Sequence, residues 1–229
     1  MRVLIKIAVV CIVVVAAVYG CVSLLYPNMH VRFLLTVDVK DGDQIRTGSS
    51  VVEVEYFINP DFMVSLDGTT TFRRVTGYAV TVDLGEKGLL FLTFNDAHRS
   101  PEQQSKRFPC LLSDVACLPF VAYAKPGSLP ITTEFSSQKA ALDELLRQSG
   151  PRDVPFVELP QLVRFLDLNN KGTEKIVSPF DLSASYGPGI QLSRVSLELT
   201  SSSITPEPLV WPQWLKIRRQ NTVFRGHEK

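Results

Sequence analysis

Val31-Arg32-Phe33-Leu34-Leu35-Thr36-Val37-Asp38-Val39 alternates apolar and polar side chains over nine positions. Val31, Phe33, Leu35, Val37 and Val39 share one face, and Arg32, Thr36 and Asp38 the other. A period of two is the signature of a strand with one buried face, because successive side chains of an extended chain point to opposite sides. The same period returns at once in Ser50-Val51-Val52-Glu53-Val54-Glu55-Tyr56-Phe57, with Val52, Val54 and Tyr56 set against Glu53 and Glu55. The two runs read as an antiparallel pair. The turn residues Asp41-Gly42-Asp43 and Thr47-Gly48-Ser49-Ser50 between them predict a loop longer than a tight hairpin.

Downstream, Arg73 to Leu84 alternates again, and Leu89 to Phe94 is a continuous apolar run of the kind covered on both faces. Residues 31–94 are therefore expected to form one antiparallel sheet of four or five strands. Residues 95–106 are polar and read as a surface loop, and 108–135 mix Pro, Gly and short apolar pieces, with one strand expected near Leu118 to Ala124. Ser137 to Gln148 carries Ala141, Leu142, Leu145 and Leu146 at helical spacing. Ser136 or Ser137 can cap its start and Gly150-Pro151 ends it, so a single helix should dock on the sheet. Beyond it, strands are expected after Pro160, at Lys175 to Ser178, and at Ile190 to Thr200. In the last of these Leu192 has the opposite parity to Val195, Leu197 and Leu199, which a bulge near Ser193-Arg194 would reconcile. The fold class is mainly β, an antiparallel sheet or sandwich-like arrangement with one or two short helices. The plentiful Val, Leu, Thr, Ser and Phe, with 15 Pro and 13 Gly, agree with strands and turns.

Ahead of the strands, Arg2 and Lys6 precede an uncharged run from Ile7 to Leu25. As a helix it would reach roughly 28 Å, close to the hydrocarbon thickness of a bilayer. Three readings are open: a retained signal anchor, a lipoprotein signal in which Val18-Tyr19-Gly20-Cys21 presents Cys21 for lipidation, and ordinary cleavage. Tyr19 is bulky where a lipobox carries a small residue. Each reading keeps the N-terminus in the cytoplasm and places residues from about 28 onward outside it, because basic residues stay on the inner side. The domain plan is thus a leader at 1–27, one extracytoplasmic β-rich domain at 28–215 with an insertion at 95–150, and a basic tail at 216–229.

Outside the cytoplasm, Cys110 and Cys117 in Cys-Leu-Leu-Ser-Asp-Val-Ala-Cys are candidates for a small-loop disulfide. Trp211, Trp214, Lys216, Arg218 and Arg219 combine aromatic and cationic groups suited to a lipid headgroup zone. A net charge of +1 gives no strong field to steer nucleic acid. The three His (His30, His98, His227) lie beside no nucleophile motif, and there is no G-x-S-x-G, P-loop or G-x-G-x-x-G. Asn95-Asp96-Ala97-His98 supplies two metal ligands where a catalytic zinc needs three, and Asp38, Asp41 and Asp43 miss the EF-hand spacing. No cofactor or metal is expected.

The stretches TVDVKDGDQIRTGSSVVEVEY, VTGYAVTVDLGEKGLLF, LVRFLDLNNKGTEKIVSPFDLSASYGPGIQLSRVSLELT and WPQWL resemble an uncharacterised alphaproteobacterial family of secreted or membrane-anchored, lipoprotein-like proteins. The resemblance implies a bacterial source and a bacterial envelope, hence an inner-membrane tether with the domain in the periplasm. It implies no activity and no site residues. The residues themselves favour a non-catalytic protein, held to the membrane by residues 7–25, that binds an envelope partner or assists assembly. Two alternatives stand beside it: an envelope hydrolase using carboxylates such as Glu53, Glu55 or Asp83, and a lipid or small-ligand carrier.

Overall fold

A computed structural model describes residue 6, residues 9–14, 16, 17 and 20, and residues 28–58, 71–94, 115–123 and 135–206. The opening alternation forms β1 (Met29–Asp41), and β2 follows at Gln44–Ile58. Asp41 pairs with Gln44, so the connection is a two-residue turn at Gly42-Asp43, with Gly42 at φ +61°. The expected longer loop is thus corrected: glycine at positive φ closes a tight hairpin. Thr47-Gly48-Ser49-Ser50 is not a turn either but the interior of β2, opposite Leu35 to Asp38.

The alternating run after residue 71 is cut in two. Gly77, at φ +138°, separates β3 (Thr71–Thr76) from β4 (Val80–Asp83). β5 (Leu89–Leu92) then returns antiparallel to β4. As a result residues 31–94 do not build one sheet. β1, β2 and β3 join β9 (Ile190–Leu199) and β6 (Arg152–Asp153) in a five-stranded sheet ordered β3-β2-β1-β9-β6. β4 and β5 join β7 (Leu162–Phe165) and β8 (Glu174–Val177) in a four-stranded sheet ordered β4-β5-β7-β8. Every pairing is antiparallel. The register of β1 with β9 shifts between Asp38 and Val39, where Ser193 has no partner, and this bulge brings Leu192 back to the buried face.

One hydrophobic core lies between the sheets. Val31, Phe33, Leu35, Val37, Val52, Val54, Val195 and Leu197 from the first sheet meet Val80, Val82, Leu90, Leu92, Leu162 and Val177 from the second. The closest approach is at Gly48. A Cβ built there would lie 2.2 Å from the Thr81 carbonyl oxygen and 2.7 Å from its carbon. Glycine is required because the backbones of β2 and β4 touch at that point, leaving no room for a side chain. Ser50, two residues on and buried, donates its hydroxyl to the Tyr78 carbonyl oxygen at 2.8 Å.

Two helices close one end of the core. α1 (Leu118–Tyr123) stands where a strand is expected from sequence. Tyr56 ties it down, donating its hydroxyl to the Ala116 carbonyl at 2.6 Å and meeting the Phe120 ring edge-on at 5.8 Å. α2 (Phe135–Leu146) buries Leu142 and Leu145 and leaves Leu146 about half exposed. A third helical turn, α3 (Ser183–Tyr186), precedes β9. Its Asp181 accepts from the Ser183 hydroxyl and the Ala184 amide, which holds that carboxyl below its ordinary value.

After β9 the chain crosses the outer face of the five-stranded sheet. The Thr200 amide donates to the Arg32 carbonyl at 3.0 Å. Five residues later Thr205 grips Val51 twice: its amide donates to the Val51 carbonyl, and its hydroxyl oxygen accepts from the Val51 amide. This strap passes from the β9 side of β1 to the far edge of β2, taking up the pairing where β3 stops at Glu53. β2 is consequently buried on both faces from Ser50 to Tyr56.

In the leader, residues 6, 9–14, 16, 17 and 20 are helical, and Val9, Val10, Ile12, Val13 and Val14 are each more than half exposed. Among the described residues no helix is long and apolar enough to cross a membrane.

Candidate functional site: a charged cleft at the start of β1

β1 begins at Met29, whereas β9 ends opposite Phe33. Past Arg32, whose carbonyl still accepts from the Thr200 amide, the strap leaves β1, and Met29 to Val31 lie beyond the β9 ladder. Beyond the last β1–β9 rung opens a cleft of about 680 Å³ lined by His30, Arg32, Glu53, Leu146, Gln148, Leu199, Thr200 and Ser201. β1 and β2 supply the charged side chains, the end of α2 supplies Leu146, and the strap supplies Thr200 and Ser201.

Strand register assembles the charges. On the outer face Arg32 lies opposite Glu53, and His30 opposite Glu55. β3 extends the second row, placing Arg74 opposite Glu55. Arg32 Nε donates to Glu53 Oε2 at 2.7 Å, and Arg74 Nη1 lies 3.5 Å from Glu55 Oε2. Asn28 Nδ2 donates to Glu55 Oε1 at 3.2 Å. His30 sits between the two carboxylates, Nδ1 3.7 Å from Glu53 Oε1 and Nε2 3.5 Å from Glu55 Oε1. Opposite charges directly across an antiparallel pair attract, and a charge-assisted bond to a carboxylate is among the stronger ones available.

The two glutamates, expected on a wet strand face, are instead 1% and 8% exposed. Burying a carboxylate is costly unless a partner and hydrogen bonds replace its water. Here Arg32, Arg74, His30 and Asn28 do so, while the strap and β3 flank the surface. Acid–base hydrolysis needs an acid and a base flanking an accessible bond. Glu53 and Glu55 are brought together, but both are turned into the ladder and engaged there. Asp83, the third carboxylate considered, lies on the other sheet and accepts from the Gly85 amide at 2.8 Å.

Other sequence candidates separate from this site. Asp41 faces Lys87 at 2.5 Å and Arg46 at 3.8 Å, and Asp38 accepts from the Thr47 hydroxyl at 2.7 Å. An ammonium and a guanidinium therefore stand where a calcium reading of Asp38, Asp41 and Asp43 would need a cation. Ser49 is exposed on β2 and Ser50 is committed to Tyr78. Among the described residues no group of three or more His, Cys, Asp or Glu could hold a metal ion. Cys117 is disulfide-bonded and Cys11 is free. Cys21, Cys110, Asp96, His98, Trp211, Trp214, Lys216, Arg218 and Arg219 lie outside the described residues.

His30, Arg32, Arg74, Gln148 and the strap were not singled out as site residues by sequence reasoning. A signal for the first two exists: basic His-Val-Arg at 30–32 and acidic Glu-Val-Glu at 53–55 become partners once the hairpin is given its two-residue turn. No known protein family, curated protein or solved structure compared with the chain matches it.

Proposed function

We propose that the protein is a membrane-tethered, non-catalytic binding protein of the bacterial envelope, its folded part on the periplasmic side of the inner membrane, where it binds a partner or assists assembly. The observation that carries this reading is the position of the cleft. It is built on the first residues of β1, and only residues 26–28 separate β1 from the end of the apolar run at Leu25. Three extended residues reach at most about 11 Å. With residues 7–25 in the bilayer, His30 and Arg32 stand close to the headgroups, facing whatever lies along the membrane. The resemblance to envelope proteins of alphaproteobacteria points the same way. Lipid on Cys21 would be a second route to the same placement, and Trp211, Trp214, Lys216, Arg218 and Arg219 would add contacts to the same surface.

The cleft's charged side chains favour binding over hydrolysis, because both carboxylates are buried and engaged across the ladder by Arg32 and Arg74 instead of flanking an open bond-breaking site. Its mixed lining favours a polar partner over a lipid tail, against the carrier reading. The disulfide of Cys117 is assigned to Cys110, which would stiffen the 95–135 insertion. Peptide mapping without reduction tests this, and a Cys21–Cys117 peptide would refute it.

The test of the binding reading is site-specific photocrosslinking of the full chain in its own membrane. A photoreactive residue at Gln148, on the cleft wall, is expected to give a discrete adduct. The same residue at Lys175, on the edge strand of the other sheet, should not. A cleft probe that yields nothing, or only the diffuse labelling seen at Lys175, rejects the reading.

A further inference from the structure

We infer that the cleft at the start of β1 is an oxyanion site, taking a phosphate or carboxylate group of a small polar ligand or a lipid headgroup through the guanidinium of Arg32. This deepens the binding reading above and rests on it.

The argument begins with how Arg32 is held. Arginine presents its donors in a planar fork, and a carboxylate that takes one side of the fork fixes the plane of the rest. Glu53, almost completely buried, takes the Nε side at 2.7 Å. The Nη amino groups remain as donors of a side chain that is 39% exposed and lines the cleft. A guanidinium oriented in advance loses little rotamer freedom when an oxyanion arrives, so more of the contact energy appears as affinity.

The rest of the lining fits the same chemistry. Ser201 adds a hydroxyl on the strap wall. The Thr200 hydroxyl donates to Ser202 Oγ and accepts from the Ser202 amide, and the Gln148 amino group donates to the Glu144 carboxylate, so these two side chains shape the wall, to which Leu146 and Leu199 add apolar surface. The volume, about 680 Å³, is that of a small-molecule site rather than of a single ion. In the ladder around it Arg32 and Arg74 face Glu53 and Glu55. Among the described residues the one acidic side chain lining the cleft is Glu53, and it is already engaged by Arg32.

The probes are sn-glycerol 3-phosphate, with glycerol as its uncharged control, and nanodiscs of phosphatidylcholine with or without phosphatidylglycerol. Full-length protein in neutral detergent is titrated calorimetrically with the soluble pair. In nanodiscs, protection of Arg32 from phenylglyoxal is read by mass spectrometry. Two variants keep the fold in view. Arg32→Lys retains the charge next to Glu53 but loses the fork, and Ser201→Asp puts a negative charge on the exposed strap wall without touching the ladder.

A soluble oxyanion ligand predicts binding of glycerol 3-phosphate and not glycerol, weakened at least about tenfold in both variants. A headgroup ligand predicts no calorimetric signal, but protection of Arg32 in discs containing phosphatidylglycerol and not in phosphatidylcholine alone, lost in Ser201→Asp. Binding that survives both variants unchanged overturns the assignment, as does the absence of both signals. The Gln148 crosslink separates the two failures: an adduct without any anion effect leaves a binding protein whose cleft takes something uncharged. Absence of adduct and anion effect together removes both claims.

Discussion

Replacing Gly48 by alanine should be among the most damaging single-methyl changes in the molecule. The added Cβ would sit 2.2 Å from Thr81 O, 2.7 Å from Thr81 C and 3.0 Å from Val82 Cγ2. Carbon atoms rest at about 3.5–4.0 Å, so β4 must retreat by more than about 1 Å. It cannot do so alone, because it is paired to β5 along its whole length and its Val80 and Val82 are buried in the shared core. Overpacking a core costs about 1–3 kcal/mol. The upper end applies here, since the obstacle is backbone rather than a rotatable side chain. For a folded part of this size, about 3 kcal/mol corresponds to a fall in Tm of roughly 6–12 °C. Urea unfolding followed by circular dichroism measures it, with Ser49→Ala, exposed on the same strand, as a control expected within about 0.5 kcal/mol of wild type. A Gly48→Ala protein as stable as that control would mean that β2 and β4 do not touch at Thr81, and the packing of the two sheets described here would be wrong.

Three further outcomes are expected. Arg32→Gln removes the 2.7 Å charge-assisted bond to buried Glu53 and should cost about 2 kcal/mol, below the usual penalty for a broken buried pair because Arg32 is partly exposed. Adding Glu53→Gln should recover about 1 kcal/mol of that loss in a double-mutant cycle, and simple additivity would contradict the pairing. Thr205→Val removes the acceptor for the Val51 amide and should cost about 1 kcal/mol, with faster hydrogen exchange at Val51; unchanged protection there would mean the strap is not what shields it. Burial pushes the Tyr186 hydroxyl well above its ordinary value of 10.0, with nearby Arg164 opposing the shift. The unfolded chain thus ionises first. The stability tied to Tyr186 is complete below about pH 10 and declines as pH rises beyond it, and a Tyr186→Phe protein should lack that part of the slope.

The strands of this protein are legible because alternation survives wherever one face is wet, as in β1 and β9, and even the bulge at Ser193 follows from the parity of Leu192. Their partition is not. Gly77 divides one alternating run between two sheets, and nothing in the run itself marks a change of sheet. Gly48 looks like a turn residue beside Ser49 and Ser50, yet its smallness answers to Thr81, a residue whose proximity exists only after packing. The cleft was half legible. Glu53 and Glu55 stood out as a pair, but their environment was inverted, because alternation alone cannot tell a face covered by a strap and a cationic ladder from one open to water. The rest depends on the turn length: with a two-residue turn at Gly42-Asp43, counting back along both strands sets Arg32 against Glu53 and His30 against Glu55. α1 is hard to read for a simpler reason: a six-residue apolar piece has no periodicity by which to separate helix from strand.

The place of β1 in the sheet also has a mechanical meaning. It is bonded to β2 along thirteen register positions and to β9 along nine of them, and the chain enters it directly at its first residues. A pull applied through residue 28 therefore runs along the strand axis. To draw β1 out, the rungs on both sides must slide together, a shearing load shared over the whole ladder. Tension on the other end meets a different geometry: past residue 206 the load falls first on the two bonds between Thr205 and Val51, which can open singly. Force from the leader side is thus borne by the centre of the fold, whereas force from the C-terminal side would lift the strap and uncover Glu53 before the sheet itself gives way.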